Sequence, residues 1–155
     1  MRGQYWSDYA KQLEAFKTGS TQAGTTWQFV ANLAQGEGAP VDVVKPKEGS
    51  TGWSDTWMVS SKAKHPNCMY MWMNHIVSPA VNAQVAEFWG EAPANSKACA
   101  LTSDPNFCTT FHAETEDYWA DVWYWTTPTK ACLDGRDVEC KDFAEWTQGW
   151  TEVKG

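Results

Sequence analysis

The stretch Glu48-Gly-Ser-Thr-Gly-Trp-Ser-Asp-Thr-Trp57 carries the pattern from which a fold and a first functional hypothesis can be drawn. It predicts a strand from Trp53 to Ser60, in which side chains alternate between the two faces, so Trp53, Asp55 and Trp57 are expected on one face. Two indoles beside a carboxylate suit an organic cation, because an aromatic face contributes ~0.5–2 kcal/mol and the carboxylate adds a charge-assisted hydrogen bond. The alternative is that the tryptophans fill the core and the aspartate is solvated.

Length and charge narrow the class of protein and of ligand. A chain of 155 residues is long enough for one domain with a hydrophobic core, so residues 1–155 are expected to form a single domain. The chain has eleven tryptophans, few charged residues and a net charge of −7. Because nucleic acid requires a basic surface, this composition argues against a nucleic-acid partner and favours neutral or cationic ligands.

Four of the five cysteines form two local pairs, Cys99 with Cys108 and Cys132 with Cys140, and each pair brackets a turn-rich loop. We expect two disulfides, each stabilising the fold by ~2.5–3 kcal/mol. Zinc is the alternative for four cysteines, but neither pair has the spacing of a zinc knuckle. Cys68 is then the odd thiol and is expected to be buried on a helix.

The expected disulfides indicate a periplasmic or extracellular location. The N-terminus has no apolar run that could act as a signal peptide, and no segment is long and apolar enough to predict a membrane span. We therefore expect either that an export signal has been removed or that the chain begins partway through a longer ancestral protein.

Hydrophobic periodicity and the Gly and Pro positions predict an α/β fold, with a short sheet flanked by helices and a helix-rich C-terminal half. Pro79 is expected at the first turn of a helix capped by Ser78, and Gly90 is expected to end that helix. The helices are expected over residues 4–17, 27–35, 67–77, 79–89, 113–122 and 142–152, and the strands over residues 20–26, 41–44 and 53–60.

Signals for metal binding or catalysis are weak. The run Cys68-Met-Tyr-Met-Trp-Met-Asn-His75 contains copper-type ligands, but its methionines do not share one helical face, so core packing is the preferred interpretation. The histidines are dispersed, no nucleophile motif is present, and the acidic residues of the predicted helix 113–122 sit where a helix dipole favours them. We predict no cofactor, no metal and no enzymatic activity.

Two further tryptophans are ambiguous. Trp27, after Thr25 and Thr26, lies where a predicted strand meets a helix, a position that often faces a cleft in α/β folds. The equally weighted alternative is that Thr26 caps the helix and Trp27 is core. Trp125 and the threonine that follows it have the same ambiguity.

Six segments in order over residues 1–127 resemble the later part of bacterial extracytoplasmic solute-binding proteins of the spermidine/putrescine ABC-transporter type. No single segment is decisive, and the order of the set carries the resemblance. The segments are Thr26-Trp27, Pro46-Lys-Glu-Gly49, Trp53-Ser-Asp55, Ser61-Lys-Ala-Lys-His-Pro66, Ser78-Pro79-Ala-Val-Asn82 and Gly90-Glu-Ala-Pro-Ala-Asn95.

The resemblance implies a two-lobed α/β protein that closes on a polyamine between aromatic side chains and carboxylates and then docks on a membrane permease. Trp27 matches the family's tryptophan after the strand, and Trp53 with Asp55 matches the pair that sandwiches and anchors an amine. Trp125-Thr126 falls where the family has Trp-Gln, so the replacement by threonine puts that contact in doubt. The paired cysteines are outside the general family pattern.

The resemblance covers only the second half of such a protein, so we expect a truncated, partial lobe with the first lobe absent. Apolar edges left exposed would favour pairing, which predicts a homodimer. The first functional hypothesis is weak cation binding at a one-sided site. The alternatives are an oligomeric scaffold that has lost solute binding, and a carbohydrate-binding module whose tryptophans stack on sugars and whose affinity does not respond to salt.

Overall fold

The structure is a computed structural model that describes residues 5–132 and 139–155. The chain is α/β and helix-rich, with a two-stranded parallel sheet. In chain order the elements are α1 (Tyr9–Lys17), α2 (Gln28–Gly36), β1 (Ser50–Gly52), α3 (Pro66–Ile76), α4 (Pro79–Trp89), a 3-10 helix (Ser96–Leu101), α5 (Phe107–Thr110), α6 (Glu116–Trp119), β2 (Val122–Tyr124) and α7 (Phe143–Lys154).

The described residues divide into two compact units. The first, here called the helical unit, contains residues 5–49 and 56–121 and therefore α1 to α6. The second, here called the sheet unit, contains residues 50–55, 122–132 and 139–155, with both strands and α7. The chain enters the sheet unit for β1, leaves it for α3 to α6, and returns to it with β2.

The core of the helical unit is built around the end of α4 and the first disulfide. Ala86 packs with Phe107, Cys108 and Phe111, and the two phenylalanine rings lie 4.6 Å apart between centroids. The Cys99–Cys108 disulfide confirms the first predicted pair and ties the 3-10 helix to α5. A short loop closed in this way restricts the unfolded chain, so it adds stability where the core itself is small.

Polar contacts hold the loop that follows the 3-10 helix against α4. The Glu87 carboxylate accepts hydrogen bonds from the Ser103 hydroxyl at 2.5 Å, from the Ser103 backbone N–H at 2.7 Å and from the Asp104 N–H at 3.4 Å. These bonds, the Ser103 hydroxyl first, lower the pKa of Glu87 below its ordinary value. The carboxylate therefore holds the loop over residues 103 and 104 against α4 best when it is ionised.

Local helix signals predicted several elements well. Ser78 stands at the N-cap of α4, Pro79 lies in its first turn, and Gly90 ends it in the left-handed region with φ of 69°. Asp142 and Glu145 form a reciprocal capping box at the start of α7. The Ser78 hydroxyl donates to the His75 carbonyl instead of capping α4, so the predicted side-chain cap is wrong. Pro79 and Gly90 each mark a helix end through their own backbone conformation, which is why the sequence alone predicts the two ends of α4.

The strands are where the sequence predictions fail. β1 covers only Ser50–Gly52, so the strand predicted from Trp53 to Ser60 is wrong, and no strand forms over residues 20–26 or 41–44. β1 pairs in parallel with β2, with Ser50 opposite Val122 and Gly52 opposite Tyr124. The position of a strand depends on its partner, and here the partner lies far along the chain.

Three further predictions have clear outcomes. The second disulfide, Cys132–Cys140, is confirmed, while the turn expected between its cysteines at residues 133–138 lies outside the described residues. Cys68 is on α3 as expected but exposed, so the expectation that it is buried is wrong. The helix predicted over residues 113–122 is reduced to Glu116–Trp119, because Val122 pairs in the sheet.

Candidate functional site

Two of the predicted site tryptophans come together in the sheet unit. Trp53 directly follows Gly52 at the end of β1, and Trp125 directly follows Tyr124 at the end of β2. The Trp125 N–H donates to the Gly52 carbonyl at 3.1 Å, which continues the parallel pairing by one bond. The two indole-bearing residues therefore leave the carboxyl ends of adjacent parallel strands side by side.

A glycine is required at the end of β1. A Cβ added at Gly52 would lie 2.6 Å from Cγ1 of Val122, well inside van der Waals contact. The Gly52-Trp53 dipeptide thus lets the two strands approach closely and then places an aromatic residue immediately beyond the pairing. The carboxyl ends of parallel strands are where α/β folds commonly bind ligands.

The site residues at this end of the sheet are open to solvent. The exposed fraction is 51% for the Trp53 side chain and 71% for Trp125, and Asp55 and Thr126 are also exposed. Trp53 and Trp125 are therefore not core residues, so the alternative that they fill the hydrophobic core is excluded. The backbone pairing brings the positions of Trp53 and Trp125 together, and Asp55 and Thr126 follow them closely along the chain.

Trp57 does not join them, contrary to the alternation predicted from the sequence. The paired strand ends at Gly52, and Trp57 belongs to the helical unit. There its ring makes an edge-to-face contact with Trp72 of α3, with centroids 5.6 Å apart. The prediction that Trp53, Asp55 and Trp57 share one face required a strand that continues to Ser60, and that strand does not form.

Trp27 occupies the N-cap position of α2 in the helical unit and is exposed. Its ring meets Trp6 edge-to-face at 5.2 Å, and the Trp6 indole N–H donates to the Thr25 carbonyl at 3.0 Å. The Thr26 hydroxyl donates to the buried Gln12 side chain at 2.9 Å instead of capping the helix. Neither part of the alternative for this junction holds, because Thr26 is not the cap and Trp27 is not core.

The helical unit also contains two open cavities, of about 370 and 230 Å³. None of the residues predicted for the site lines either of them. The larger cavity is bounded by three carboxamides on one face of α2, two threonines at the end of α5, and residues that sequence reasoning did not select for it. Its lining residues are Gln28, Asn32, Gln35, Asp42, Val43, Lys45, Thr109, Thr110, His112 and Tyr118.

Lys45 supplies the positive charge of the larger cavity and is already engaged. Its ammonium donates to the Tyr118 carbonyl at 2.6 Å, lies 4.9 Å from the centre of the Tyr118 ring, and is 3.7 Å from the Asp121 carboxylate. The Tyr118 ring is also stacked on the His112 ring, with the two ring centroids 3.7 Å apart. Lys45 would repel a ligand ammonium and Asp42 in the same lining would attract one, so the charges of this cavity give no preference for a polyamine.

No local signal in the sequence identifies this cluster. Lys45 and Tyr118 are 73 residues apart in the sequence. His112 adopts a positive φ of 54°, which is uncommon for a residue with a side chain, and its carbonyl accepts the Trp119 indole N–H at 2.7 Å. A contact between residues so far apart becomes visible only once the chain is folded.

The structure describes residues 5–132 and 139–155, and the next two statements hold for those ranges. Within those ranges no three His, Cys, Asp or Glu side chains come together in a group that could hold a metal ion. Of the helices formed by the same residues, none combines the length and the apolarity needed to cross a bilayer.

A family model described as "Bacterial extracellular solute-binding protein" matches residues 2–121, which is well over half of the chain. The matched range includes Trp27, Trp53 and Asp55, whereas Trp125, Thr126 and α7 lie beyond it. The resemblance identified from the ordered segments is therefore confirmed at the level of the family.

Individual relatives support the same relationship. The chain is 34% identical over 88 residues to the spermidine/putrescine-binding periplasmic protein of Escherichia coli (strain K12), and 32% identical over 88 residues to that of Salmonella typhimurium (strain LT2). Each match covers 57% of this chain and 25% of the relative. Spermidine/putrescine-binding periplasmic protein 1 of Haemophilus influenzae (strain Rd) is 24% identical over 112 residues, or 69% of this chain and 31% of the relative. The matched stretch thus spans between a quarter and a third of these relatives.

Proposed function

Because the chain belongs to the family of bacterial extracellular solute-binding proteins, we propose that it binds a small organic cation of the polyamine class at the carboxyl end of its parallel strands. Trp53 and Trp125 stack on the methylenes or an ammonium of the ligand, and Asp55 pairs with the ammonium charge. Thr126 adds a hydroxyl that can accept a hydrogen bond from the ammonium.

The observation that carries this proposal is the parallel pairing that ends in two tryptophans. Gly52 and Tyr124 are the last residues in register, and the next residue on each strand is a tryptophan with at least half of its side chain exposed. Indole faces attract cations through their quadrupole, and a nearby carboxylate fixes the position of the ammonium group. The names of the relatives, which are spermidine/putrescine-binding proteins, support the choice of ligand class.

The exposure of these side chains sets the expected affinity. Two solvent-exposed cation–π contacts contribute ~0.5–1 kcal/mol each and one exposed ion pair at most ~1 kcal/mol. Partial burial of the ligand's methylenes, at ~0.8 kcal/mol for each one buried, adds a further ~1–2 kcal/mol. The total of ~2–5 kcal/mol corresponds to dissociation constants from high micromolar to tens of millimolar.

The proposal is tested by titrating tryptophan fluorescence with putrescine and spermidine at low and high salt. The unmodified chain should show saturable quenching at low salt, and Trp53→Ala and Asp55→Asn should each raise its dissociation constant by about two- to fivefold, because each contact contributes at most ~1 kcal/mol. Trp146→Ala is the matched control, because Trp146 is an exposed tryptophan on α7 of the same unit. Quenching should weaken as salt rises, since screening reduces the attraction between Asp55 and the ligand.

Other outcomes of the titration would overturn the proposal. A flat response would favour the oligomeric scaffold, and saturable quenching by sugars that is insensitive to salt would favour the carbohydrate-binding module. A dissociation constant that stays unchanged in both Trp53→Ala and Asp55→Asn would mean that a polyamine binds elsewhere. Trp27 lies in the helical unit, so its part in ligand binding stays a prediction, which Trp27→Ala tests in the same assay.

In this role the protein acts outside the cytoplasm and passes solute to an ABC permease in the membrane. Both disulfides fit an oxidising compartment. The role requires binding and release with no chemical step. Weak binding at a one-sided site and the partial lobe expected from the sequence are parts of the same proposal.

A further inference from the structure

The larger cavity of the helical unit is lined mainly by uncharged polar side chains. Gln28, Asn32 and Gln35 follow one another at intervals of four and three residues, which places all three carboxamides on one face of α2. Thr109 and Thr110 at the end of α5 add two hydroxyls. A carboxamide and a hydroxyl can each both donate and accept a hydrogen bond, so the lining offers both kinds of group to a ligand.

The carboxamides of α2 have only part of their hydrogen-bonding capacity in use. The Gln28 Nε2 donates to the Asn32 Oδ1 at 2.8 Å, and the Gln35 Nε2 donates to the Val41 carbonyl at 3.0 Å. Among the described residues, none bonds to the Gln28 Oε1, the Asn32 Nδ2 or the Gln35 Oε1, and none bonds to the hydroxyls of the two threonines. These donors and acceptors are therefore available to a molecule that enters the cavity.

Contacts within the protein hold the walls of the cavity in place. The bond from Gln35 ties the segment that follows α2 back to the helix, and the Lys45 ammonium ties the same segment to the Tyr118 carbonyl at 2.6 Å. The Cys99–Cys108 disulfide ties α5 to the 3-10 helix. A site with preformed walls binds a small molecule without the cost of ordering them.

The charges of the lining oppose each other. Asp42 contributes one negative charge and Lys45 one positive charge. The Lys45 ammonium is bonded to Tyr118 and lies 3.7 Å from the Asp121 carboxylate, and only 19% of its side chain is exposed. Because neither sign of charge predominates, the lining is best matched by a neutral molecule that is polar over its whole surface.

One backbone feature occurs at the wall of the same cavity. Among the described residues, His112 is the only one other than glycine with a positive φ, at 54°. Its ring is held in the lining by stacking on the ring of Tyr118. Backbone conformations of this kind concentrate at ligand-binding positions, so this feature supports a binding role for the cavity.

We propose that the larger cavity of the helical unit binds a neutral polyhydroxylated molecule of about the size of a hexose. The volume of about 370 Å³ lies within the range of ~300–1,000 Å³ that is usual for small-molecule sites. Neighbouring hydroxyls of such a molecule both donate and accept, as the unused ends of the carboxamides require. The proposal is independent of the cation site, because Trp53, Asp55 and Trp125 do not line this cavity.

The openness of the cavity sets the expected affinity. Gln35, Asp42 and Thr109 are exposed, so a bound molecule keeps part of its surface in water. A hexose has about twelve non-hydrogen atoms, which at an ordinary ligand efficiency gives a dissociation constant of a few millimolar. Loss of one hydrogen bond to a neutral group should raise this constant by roughly two- to tenfold.

An NMR titration of the ¹⁵N-labelled full chain tests the proposal. Glucose, galactose, mannose and mannitol are the probes, each added up to roughly 50 mM, which is about tenfold above the expected dissociation constant. At least one probe should cause saturable shifts of the amide signals of residues 28–35, 42–45 and 109–112, and the signals of the sheet unit should stay in place. Salt should not change the affinity, because the ligand carries no charge.

Variants of the lining provide the matched comparison. Asn32→Ala removes the central carboxamide and should raise the dissociation constant by roughly two- to tenfold. Gln84→Ala is the control, because Gln84 is an exposed carboxamide on α4 that lines neither cavity. Thr109→Val removes an exposed hydroxyl with little change in shape, so it repeats the test at a position where folding does not depend on the side chain.

Three results would overturn the proposal. The first is the absence of saturable shifts with all four probes, and the second is a dissociation constant that is unchanged in both Asn32→Ala and Thr109→Val. The third is a set of shifts around Trp53 and Trp125 that disappears in Trp53→Ala, which would assign the sugar to a carbohydrate-binding module at the strand ends. Polyamine quenching is measured with Trp53→Ala and Asp55→Asn, so the cation site and this cavity can each fail while the other stands.

Discussion

Replacing Gly90 by alanine should destabilise the protein more than the same replacement at any other left-handed turn with open space around it. Gly90 ends α4 with φ of 69°, and an added Cβ would lie 2.5 Å from Cδ2 and 3.2 Å from Cβ of Phe29. Because the second of these atoms is next to the backbone, the phenylalanine cannot clear the space by rotating its ring. Helix α2 must therefore shift to accept the methyl group.

Two terms give the size of the effect. The left-handed conformation costs a residue with a Cβ ~1–2 kcal/mol, and overpacking of this kind costs ~1–3 kcal/mol. Gly90→Ala is therefore expected to lower the free energy of unfolding by about 2–5 kcal/mol. Gly19 is a matched control, because it has the same φ of 69° and nothing within 4 Å of its Cβ position. Gly19→Ala should cost only the first term.

Urea denaturation, monitored by circular dichroism, measures the free energy of unfolding of the Gly90→Ala and Gly19→Ala variants. The difference between the two variants isolates the collision with Phe29. A Phe29→Ala background removes the ring contact at 2.5 Å and keeps the Cβ contact at 3.2 Å, so there the cost of Gly90→Ala should fall toward that of Gly19→Ala without reaching it. If the two glycine variants have equal stability in the unmodified background, the close approach of Gly90 and Phe29 is refuted.

Three further predictions concern loops and a helix end. Replacing Cys99 and Cys108 by alanine should lower the free energy of unfolding by ~2.5–3 kcal/mol in urea denaturation, and the absence of any loss would contradict a stabilising role for that loop closure. The lowered pKa of Glu87 means that its bonds to Ser103 stabilise the fold fully above the ordinary value of 4.5 and are lost as the pH falls through the lower folded value. The melting temperatures of the unmodified protein and Glu87→Ala should therefore differ at pH 7 and converge in acid, and a constant difference would count against the linkage. Asp142→Ala should reduce the helical signal of α7 and cost ~1 kcal/mol, whereas Asp142→Asn should retain most of both.

Sequence reasoning succeeded where the determinant of structure is local. Pro79 and Gly90 mark the two ends of α4, and the spacing of Cys99 and Cys108 gave the correct pairing. In each case the interacting groups lie within about ten residues of each other, so one short segment of sequence contains both of them. The resemblance to solute-binding proteins was found because its segments keep their order, although no single segment is specific.

The sequence could not place β1, the exposed thiol or the cluster around Lys45. The alternation from Trp53 onward is typical of a strand, but pairing stops at Gly52 because β2 itself ends at Tyr124. Cys68 was expected inside because free thiols usually are, yet α3 has no buried residue at all. Whether a helical face is covered depends on what packs against it, and the spacing along one helix does not contain that information.

The strand predicted to carry Trp53 is wrong, and the site residues stay a prediction. Trp53 and Trp125 were each selected from local context, and the register of the sheet brings them together in a way that neither segment indicates alone. Asp55 was assigned to the same face as Trp53 by an alternation that the backbone does not follow. The role of Asp55 in ligand binding is therefore tested by titrating the Asp55→Asn variant with a polyamine, because the strand pattern that selected this residue does not form.

The parallel pairing of β1 with β2 also has a consequence for the order in which the protein folds. The whole of α3 to α6 lies between the two strands, so the sheet forms only after a long segment has been closed, and this closure costs entropy before any pairing is gained. We expect the helices to form early and the two strands to meet late. On gentle heating the strands should then separate while most of the helical signal persists. The pair of tryptophans at the strand ends would be lost in that first step, so the temperature at which the chain stops recognising a cation is expected to lie below the temperature at which it unfolds.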